Sequence, residues 1–422
     1  MSERVVVTGM GVCAPNGIGL KAFEKAMAQG ISGIQHQPEL ETLQFSCQVA
    51  GSPDLSNVDM DHYFSKLQQR SLLASGLLYG TIAGLDAWTD AQLPVNGAQP
   101  DWDSGTVFGT GILGVDVFRD AIHLVDAHKV RRLRSATVVQ TMASGISAHL
   151  GGTLGLGNWV TTNSSACATG TEALLMGFEH IATGKAKRML VGSCSDSGPY
   201  VWVGFDAMRI LPTSYNHIPE RASRPMSTTA SGFVPGSGAG ALILESLKSA
   251  QQRKAPIYCE LLGGAVNSGG QRNGGSITAA NPEGIQQCIA MALSNTGVNP
   301  KDIEAINGHL TATTKDPDEI DNWCTALHRS EDQFPFINSF KGHFGHCLAA
   351  SGSIECVATV LQFKLNQLFG TLNSEDIHPK IAELITPKRV VTETINFSPK
   401  IIAKASFGFG DVNACAIFKA YS

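Results

Sequence analysis

Residues Ala166 to Met176 read ACATGTEALLM, and residues His346 to Ala358 read HCLAASGSIECVA. Each carries an Ala-Thr/Ser-Gly-Thr/Ser step that opens an apolar helix, and the two stretches lie about 180 residues apart. A second pair recurs at a similar distance. Ser231 to Leu244, SGFVPGSGAGALIL, and Ser406 to Phe418, SFGFGDVNACAIF, both run from a glycine-rich turn into a strand of small residues. Repetition at a fixed offset is the mark of a duplicated unit. It predicts two related half-domains, 1–250 and 251–422, joined near Ser246–Ala255, where LKSAQQRKAP is polar and ends in proline.

Working outward, the β-branched runs Arg4–Gly9, Gly105–Gly109, Met189–Gly192 and Ile401–Phe407 alternate with helical stretches such as Thr171–Thr183 and Ile354–Leu365. That alternation predicts an α/β fold in layers. In 422 residues, 43% are hydrophobic, 16% are charged and 45 are glycine. Charge is low against the usual ~25%, which excludes disorder, collagen and coiled coil and predicts an exterior partly covered by another subunit. A net charge of −5 argues against nucleic-acid binding. The N-terminal apolar run is broken by glycines, too short for export or for crossing a bilayer, so a cytoplasmic protein without membrane contact is expected. Ten cysteines without a CxxC pair read as reduced, buried thiols.

Cys167 is the exception. It falls between a predicted strand, Asn158–Asn163, and the helix from Thr171, so its thiol faces the unpaired N–H groups and positive end of that helix, which favour thiolate. A structural cysteine in a small-residue turn is the bland alternative. His309 follows the apolar run Ile303–Ile306 and projects from a strand end, the usual edge for sites in α/β folds. His346 lies between a predicted strand, Pro335–Ser339, and a helix start that the repeat equates with the one at Cys167. If a pseudo-twofold relates the halves, the two helix starts meet at the centre. His343 and His346 at i, i+3 suggest a metal pair, but no third ligand is spaced nearby, so no metal is expected.

The motifs TTNSSACATGTEALLMG, NGHLTAT, KGHFGHCLAASGSIE and SFGFGDVN, in this order, resemble the elongating β-ketoacyl-acyl carrier protein synthases of the thiolase fold, from RVVVTGMG to the last strand. The resemblance implies two pseudo-duplicated halves in α-β-α-β-α layers and a Cys167, His309, His346 triad. It makes Cys167 the acyl acceptor and gives the two histidines the malonyl unit. Lys341 matches a lysine that orients the histidine, with a salt bridge to Glu319 as its structural alternative. Asp316 and Glu319 match an Asp-x-x-Glu pair. Thr311 and Thr313 match threonines on the phosphopantetheine arm, Phe407 and Ile112 fall among substrate contacts, and Phe409 matches a gate whose N–H completes an oxyanion hole. No cofactor is implied beyond the phosphopantetheine of the carrier. The implied partners are acyl carrier protein and a second subunit, identical or homologous as in ketosynthase/chain-length-factor pairs. The basic run Lys129, Arg131, Arg132 and Arg134 corresponds to a carrier-docking region, or else is a solvated loop.

The residue types suit the chemistry. Acyl transfer needs a nucleophilic thiol, and decarboxylation of a malonyl thioester leaves an enolate that two imidazole N–H groups stabilise without a metal. Departures from the family pattern occur at Ser227 and Ser231, where aspartates are expected, at Leu310 in place of glycine, and at Asp411 and Val412 in place of Gly-Thr. These resemble ketosynthases of aryl-polyene pathways and predict a reshaped acyl tunnel and gate. A thiolase would place a second cysteine in the C-terminal glycine loop, and a starter-unit synthase would carry Asn at the third triad position. A chain-length factor would lack the nucleophile.

Overall fold

The computed structural model describes residues 3–95 and 97–421. The first half contributes strands β1 (Val5–Ala14), β2 (Ser104–Thr110), β3 (Val160–Thr161), β4 (Arg188–Ser195) and β5 (Gly238–Ser246). Its main helices are α1 (Ser75–Asp90), α2 (Gly145–Leu154) and α3 (Thr169–Ala182). The second half contributes β6 (Cys259–Ser268), β7 (Ala305–Asn307), β8 (Phe336–Asn338), β9 (Ile401–Gly408) and β10 (Val412–Ala420), with α4 (Pro282–Thr296), α5 (Asp316–Leu327) and α6 (Ser351–Leu365).

Both halves have the same strand order. The first runs β3-β2-β4-β5-β1 and the second β8-β7-β9-β10-β6, with parallel pairs at the outer edge and antiparallel pairs toward the middle. They join where Val5–Val7 of β1 pairs antiparallel with Cys259–Leu261 of β6, giving one 11-stranded sheet in which Gly17–Ile18 pairs off the main path. The repeat read from sequence thus appears as repeated topology.

Helices α3 and α6 lie between the halves. Each contacts strands of both, and α6 is buried from Ser351 to Phe363. Their first turns cross at Gly170 and Gly352: a Cβ on Gly170 would come within 2.3 Å of Ser353 N, and one on Gly352 within 2.7 Å of Thr171 N. Only glycine permits this approach. Helices α1 and α2 cover the first half outside, and α4 and α5 the second, completing the helix, sheet, helix, sheet, helix order.

Segment 246–255, the polar stretch where the sequence places the junction, is locally structured. Leu247–Gln252 is a helix capped by Ser246, and Arg253 beyond it pairs with the buried Glu245 at 2.7 Å. The predicted strand at Asn158–Asn163 shrinks to Val160–Thr161, because the chain leaves the sheet to approach Cys167. No helix among the described residues is long and apolar enough to cross a membrane.

Candidate active site

Cys167 sits in a tight single turn, Ala166–Ala168, ahead of α3. Ala166 adopts φ 49°, a left-handed conformation uncommon for a residue with a Cβ. Gly408 lies directly behind: a side chain there would come within 3.1 Å of Cys167 N and Ser165 O. The backbone N–H groups of Phe409 and of Cys167 itself both act on the thiol.

The thiolate expected from helix placement is not what this environment favours. Burial dominates and pushes the Cys167 thiol above its ordinary value, against the Phe409 N–H and the charge of Lys341.

His309 follows β7 on a loop held by two carboxylates at the start of α5. The N–H groups of His309 and Leu310 donate to Glu319 Oε1 and Oε2, each at 2.7 Å. Those of Met226, Thr311 and Thr313 donate to Asp316 at 2.8, 3.0 and 3.3 Å. Burial pushes Asp316 up to about 6 and Glu319 up to about 7 even so. The first turn of α5 thus reads as a backbone clamp beneath His309.

His346 precedes α6. Its Nδ1 accepts the Leu348 N–H at 3.1 Å and lies 2.9 Å from Ser351 Oγ, which assigns the ring proton to Nε2. The His309 and His346 rings stand 5.4 Å apart, nearly perpendicular at 85°. Burial, then the positive charge of Lys341, drives both well below the usual histidine range, with Lys404 adding to the effect. Both are neutral near pH 7.

One ligand-type atom each from Cys167, His309 and His346 lies within 4.8 Å of the others. His343, spaced with His346 in sequence, is not part of the group.

Lys341 does not pair with Glu319. Its Nζ donates to His309 O at 2.9 Å and forms a fully buried ion pair with Glu355 of α6. Glu355 also takes Lys404 of β9 at 2.7 Å. Neither Glu355 nor Lys404 was singled out from sequence, although each is a lone charge inside an apolar segment, SIECVATVL and IIAKASFG.

A cavity of about 600 Å³ opens onto Cys167, His309 and His346. Thr311, Thr313, Phe407 and Phe409 line it, together with Phe205 and Phe233, which the sequence reading did not identify. Phe205 sits 6.3 Å from the Phe409 ring, and Phe233 sits 5.0 Å from His346. Ile112 is not in this wall; its side chain is 58% exposed.

The family departures lie outside the wall as well. Leu310 is buried in the outer core of the second half. Ser227 Oγ donates to Asp376 at 2.6 Å, and Arg224 pairs with Asp376 at 2.8 Å, so a carboxylate from another segment serves there. Ser231 is exposed. Asp411 accepts the Gln271 and Asn281 N–H groups, both at 2.9 Å, beside the cavity rather than within its wall. None of these residues lines the cavity itself.

Lys129, Arg131, Arg132 and Arg134 are exposed. Arg134 Nη1 donates to Arg70 O at 2.9 Å, which brings the Lys66–Ser71 helix, with Lys66 and Arg70, beside the run.

Residues 2–250 match the β-ketoacyl synthase N-terminal domain, and residues 258–375 match the C-terminal domain. The chain is 32% identical over 428 aligned residues to 3-oxoacyl-acyl-carrier-protein synthase 2 of Staphylococcus aureus strain N315, covering 100% of this chain and 99% of that one. Among solved structures, a β-ketoacyl synthase from Burkholderia phymatum superposes with TM-score 0.89 at 26% identity, covering 100% of both chains. A type II polyketide ketosynthase, solved with its acyl carrier protein and bound to a hexaketide, superposes with TM-score 0.87 at 26% identity, again over 100% of both chains. With the N-terminal and C-terminal domain models matched over 2–250 and 258–375, and Cys167, His309 and His346 gathered at one cavity, the chain belongs to the β-ketoacyl synthase family and is an enzyme of the acyltransferase class.

Proposed function

We propose that this protein is a β-ketoacyl-ACP synthase that lengthens an acyl chain by decarboxylative condensation, in fatty-acid or polyketide elongation. The convergence of Cys167, His309 and His346 on one cavity carries this reading.

Cys167 attacks the thioester of an acyl carrier. The acyl group moves to the sulfur, and the thiol proton leaves with the carrier thiol. In the resulting tetrahedral species the oxyanion sits between the N–H groups of Cys167 and Phe409. A malonyl carrier then enters past Thr311 and Thr313. Its C–C bond to the carboxylate breaks, carbon dioxide leaves, and the electron pair becomes an enolate on the thioester oxygen. His346 Nε2–H and a His309 N–H stabilise that oxygen. The enolate carbon attacks acyl-Cys167, the C–S bond breaks, and the cysteine thiolate takes up a proton. Both imidazoles act as neutral donors, in accord with their depressed basicity. No cofactor is needed beyond the phosphopantetheine that carries the substrates. A chain-length factor, the non-catalytic alternative, has no use for a complete triad.

Two surfaces suit partners. The basic face of Lys66, Arg70, Lys129, Arg131, Arg132 and Arg134 complements an acidic acyl carrier protein. The helix Val115–Asp126 has no buried residue and leaves Phe118, Ile122 and Val125 exposed, as Val138 is on the neighbouring Thr137–Thr141 helix. A second subunit, identical or homologous, covers this apolar face.

The test is mass spectrometry of the chain mixed with acyl carrier thioester, followed by malonyl carrier. An adduct on Cys167 that disappears with release of carbon dioxide and a two-carbon-longer product is expected. No adduct with any acyl length tried, or an adduct that malonyl carrier does not discharge, removes the proposal.

A further inference from the structure

We propose that Lys404 is a second positioning lysine of the condensing site, locking the strand that leads into Phe409 onto the helix behind His346 and setting the electrostatic field beneath both histidines. This rests on the ketosynthase reading and goes beyond it.

Along β9, side chains alternate between faces. Ala403, Ala405 and Phe407 join the outer core of the second half, whereas Ile402 joins the central core around α3 and α6. Lys404 and Ser406 therefore share the central face. There Lys404 is fully buried, and its three ammonium protons meet three acceptors: Glu355 Oε2 at 2.7 Å, Ala405 O at 2.6 Å and Ser406 Oγ at 2.7 Å.

The network continues both ways. Ser406 Oγ lies 2.9 Å from Thr171 Oγ1 in the first turn of α3. Glu355 passes the connection to Lys341, whose Nζ reaches His309 O. One hydrogen-bonded chain thus runs from the helix after Cys167, through β9 and α6, to the backbone of His309.

The duplicated fold supplies an internal control. In the first half Ser193 of β4 lies 2.6 Å from Ser353 of α6, mirroring the Ser406 to Thr171 contact. Two residues before Ser193 stands Val191, buried in the central core; two residues before Ser406 stands Lys404. Packing of this strand against a central helix is thus satisfied by valine. A buried ammonium is costly unless paired, and here two ammoniums share the single carboxylate of Glu355.

The charged and titratable groups around the histidines, besides each other, are Cys167, Lys341, Lys404, Glu355, Glu319 and Asp316, with Lys315 and Asp318 on the same cavity wall. Glu319 and Asp316 are held by backbone N–H groups of the His309 loop. Lys404 adds positive charge that disfavours imidazolium in both rings. The same charge favours the enolate formed beside them.

Carbon dioxide release from a malonyl-pantetheine thioester, followed against pH in wild type, Lys404→Met and Lys404→Gln, separates the possibilities. Removing the charge lets the histidines protonate at higher pH, so the acid limb moves to higher pH in both variants. Glutamine keeps a hydrogen-bonding side chain, so a merely structural role predicts an unshifted limb in the glutamine variant, and that result overturns the proposal. If the methionine variant does not fold, the glutamine limb alone decides. A wild type that releases no carbon dioxide at any pH defeats the ketosynthase reading instead, and this proposal with it.

Discussion

The turns at Ala166–Ala168 and Leu348–Ala350 are built alike and used differently. Each begins with a left-handed residue, Ala166 at φ 49° and Leu348 at φ 52°, and each feeds a central helix whose second residue is the crossing glycine, Gly170 or Gly352. Cys167 in the first turn corresponds to Ala349 in the second. The helix start equivalent to that of Cys167 therefore belongs to Ala349, three residues after His346, a refinement of the sequence alignment. What faces each turn also differs. Ala349 O accepts Ser193 Oγ at 2.7 Å, and Ala350 N–H donates to Ser195 Oγ at 3.1 Å, so the second turn is a brace stitched to β4. The first turn meets Gly408 and the Phe409 N–H of the other half and opens onto the cavity. A helix N-terminus alone does not make a nucleophile; the opposing strand decides whether its donors are consumed or left for a substrate.

The largest effect expected breaks the pairing outright. Cys167→Ala should abolish condensation, and adding Ala349→Cys to it should restore nothing, because the second turn lacks the cavity and the Phe409 donor. An acyl adduct on residue 349, read by mass spectrometry, would contradict this.

Next come the histidines that flank the two turns. His309→Ala or His346→Ala should cut carbon dioxide release on the order of 100- to 1,000-fold while Cys167 is still acylated, since loss of one such donor has that cost. Release near the wild-type rate in both variants would show that the imidazoles do not face the enolate.

A smaller effect sharpens the contrast in stability. His343 is buried near the second turn with no well-formed hydrogen bond to either ring nitrogen, and burial pushes it down to about 3 with only the Phe340 backbone opposing. The unfolded chain, with histidine near 6.5, binds the extra proton first, so stability falls as pH drops from 6.5 toward 3. His343→Leu should remove that dependence and gain about 2 kcal/mol at pH 5 relative to its effect at pH 8. Denaturant melts at the two pH values measure it, and equal differences would mean that the ring is not held neutral.

The smallest effect is at the surface. Reversing Arg131 and Arg132 should lower kcat/KM with carrier-bound substrate on the order of tenfold at low salt, with the difference shrinking as salt is added and small thioesters unaffected. An equal loss with small thioesters would point to damage at the triad rather than to docking.

Much of the fold was legible because it depends on local pattern. Glycine-bounded β-branched runs and the repeated Ala-Thr/Ser-Gly-Thr/Ser step carry their own geometry, so β1, β2, β4, β9 and both central helices lie close to where the pattern put them. Cys167, His309 and His346 were readable because each sits at a junction between elements. Glu355 and Lys404 were not, because a lone charge in an apolar segment does not name its partner: the two lie 49 residues apart, and the other partner of Glu355, Lys341, lies 14 residues from it.

The sequence by itself determined the element types, the duplication and the chemical kinds at the site, since these follow from side-chain periodicity and residue identity. Tertiary structure alone decided the rest. It determined which helix start faces an open cavity, that Lys341 answers to Glu355 rather than Glu319, that the thiol is raised by burial, and that Ile112 and the family departures stand outside the wall. Each of these depends on distances between segments far apart in the chain and on how much water the intervening packing excludes, and no local pattern encodes either quantity.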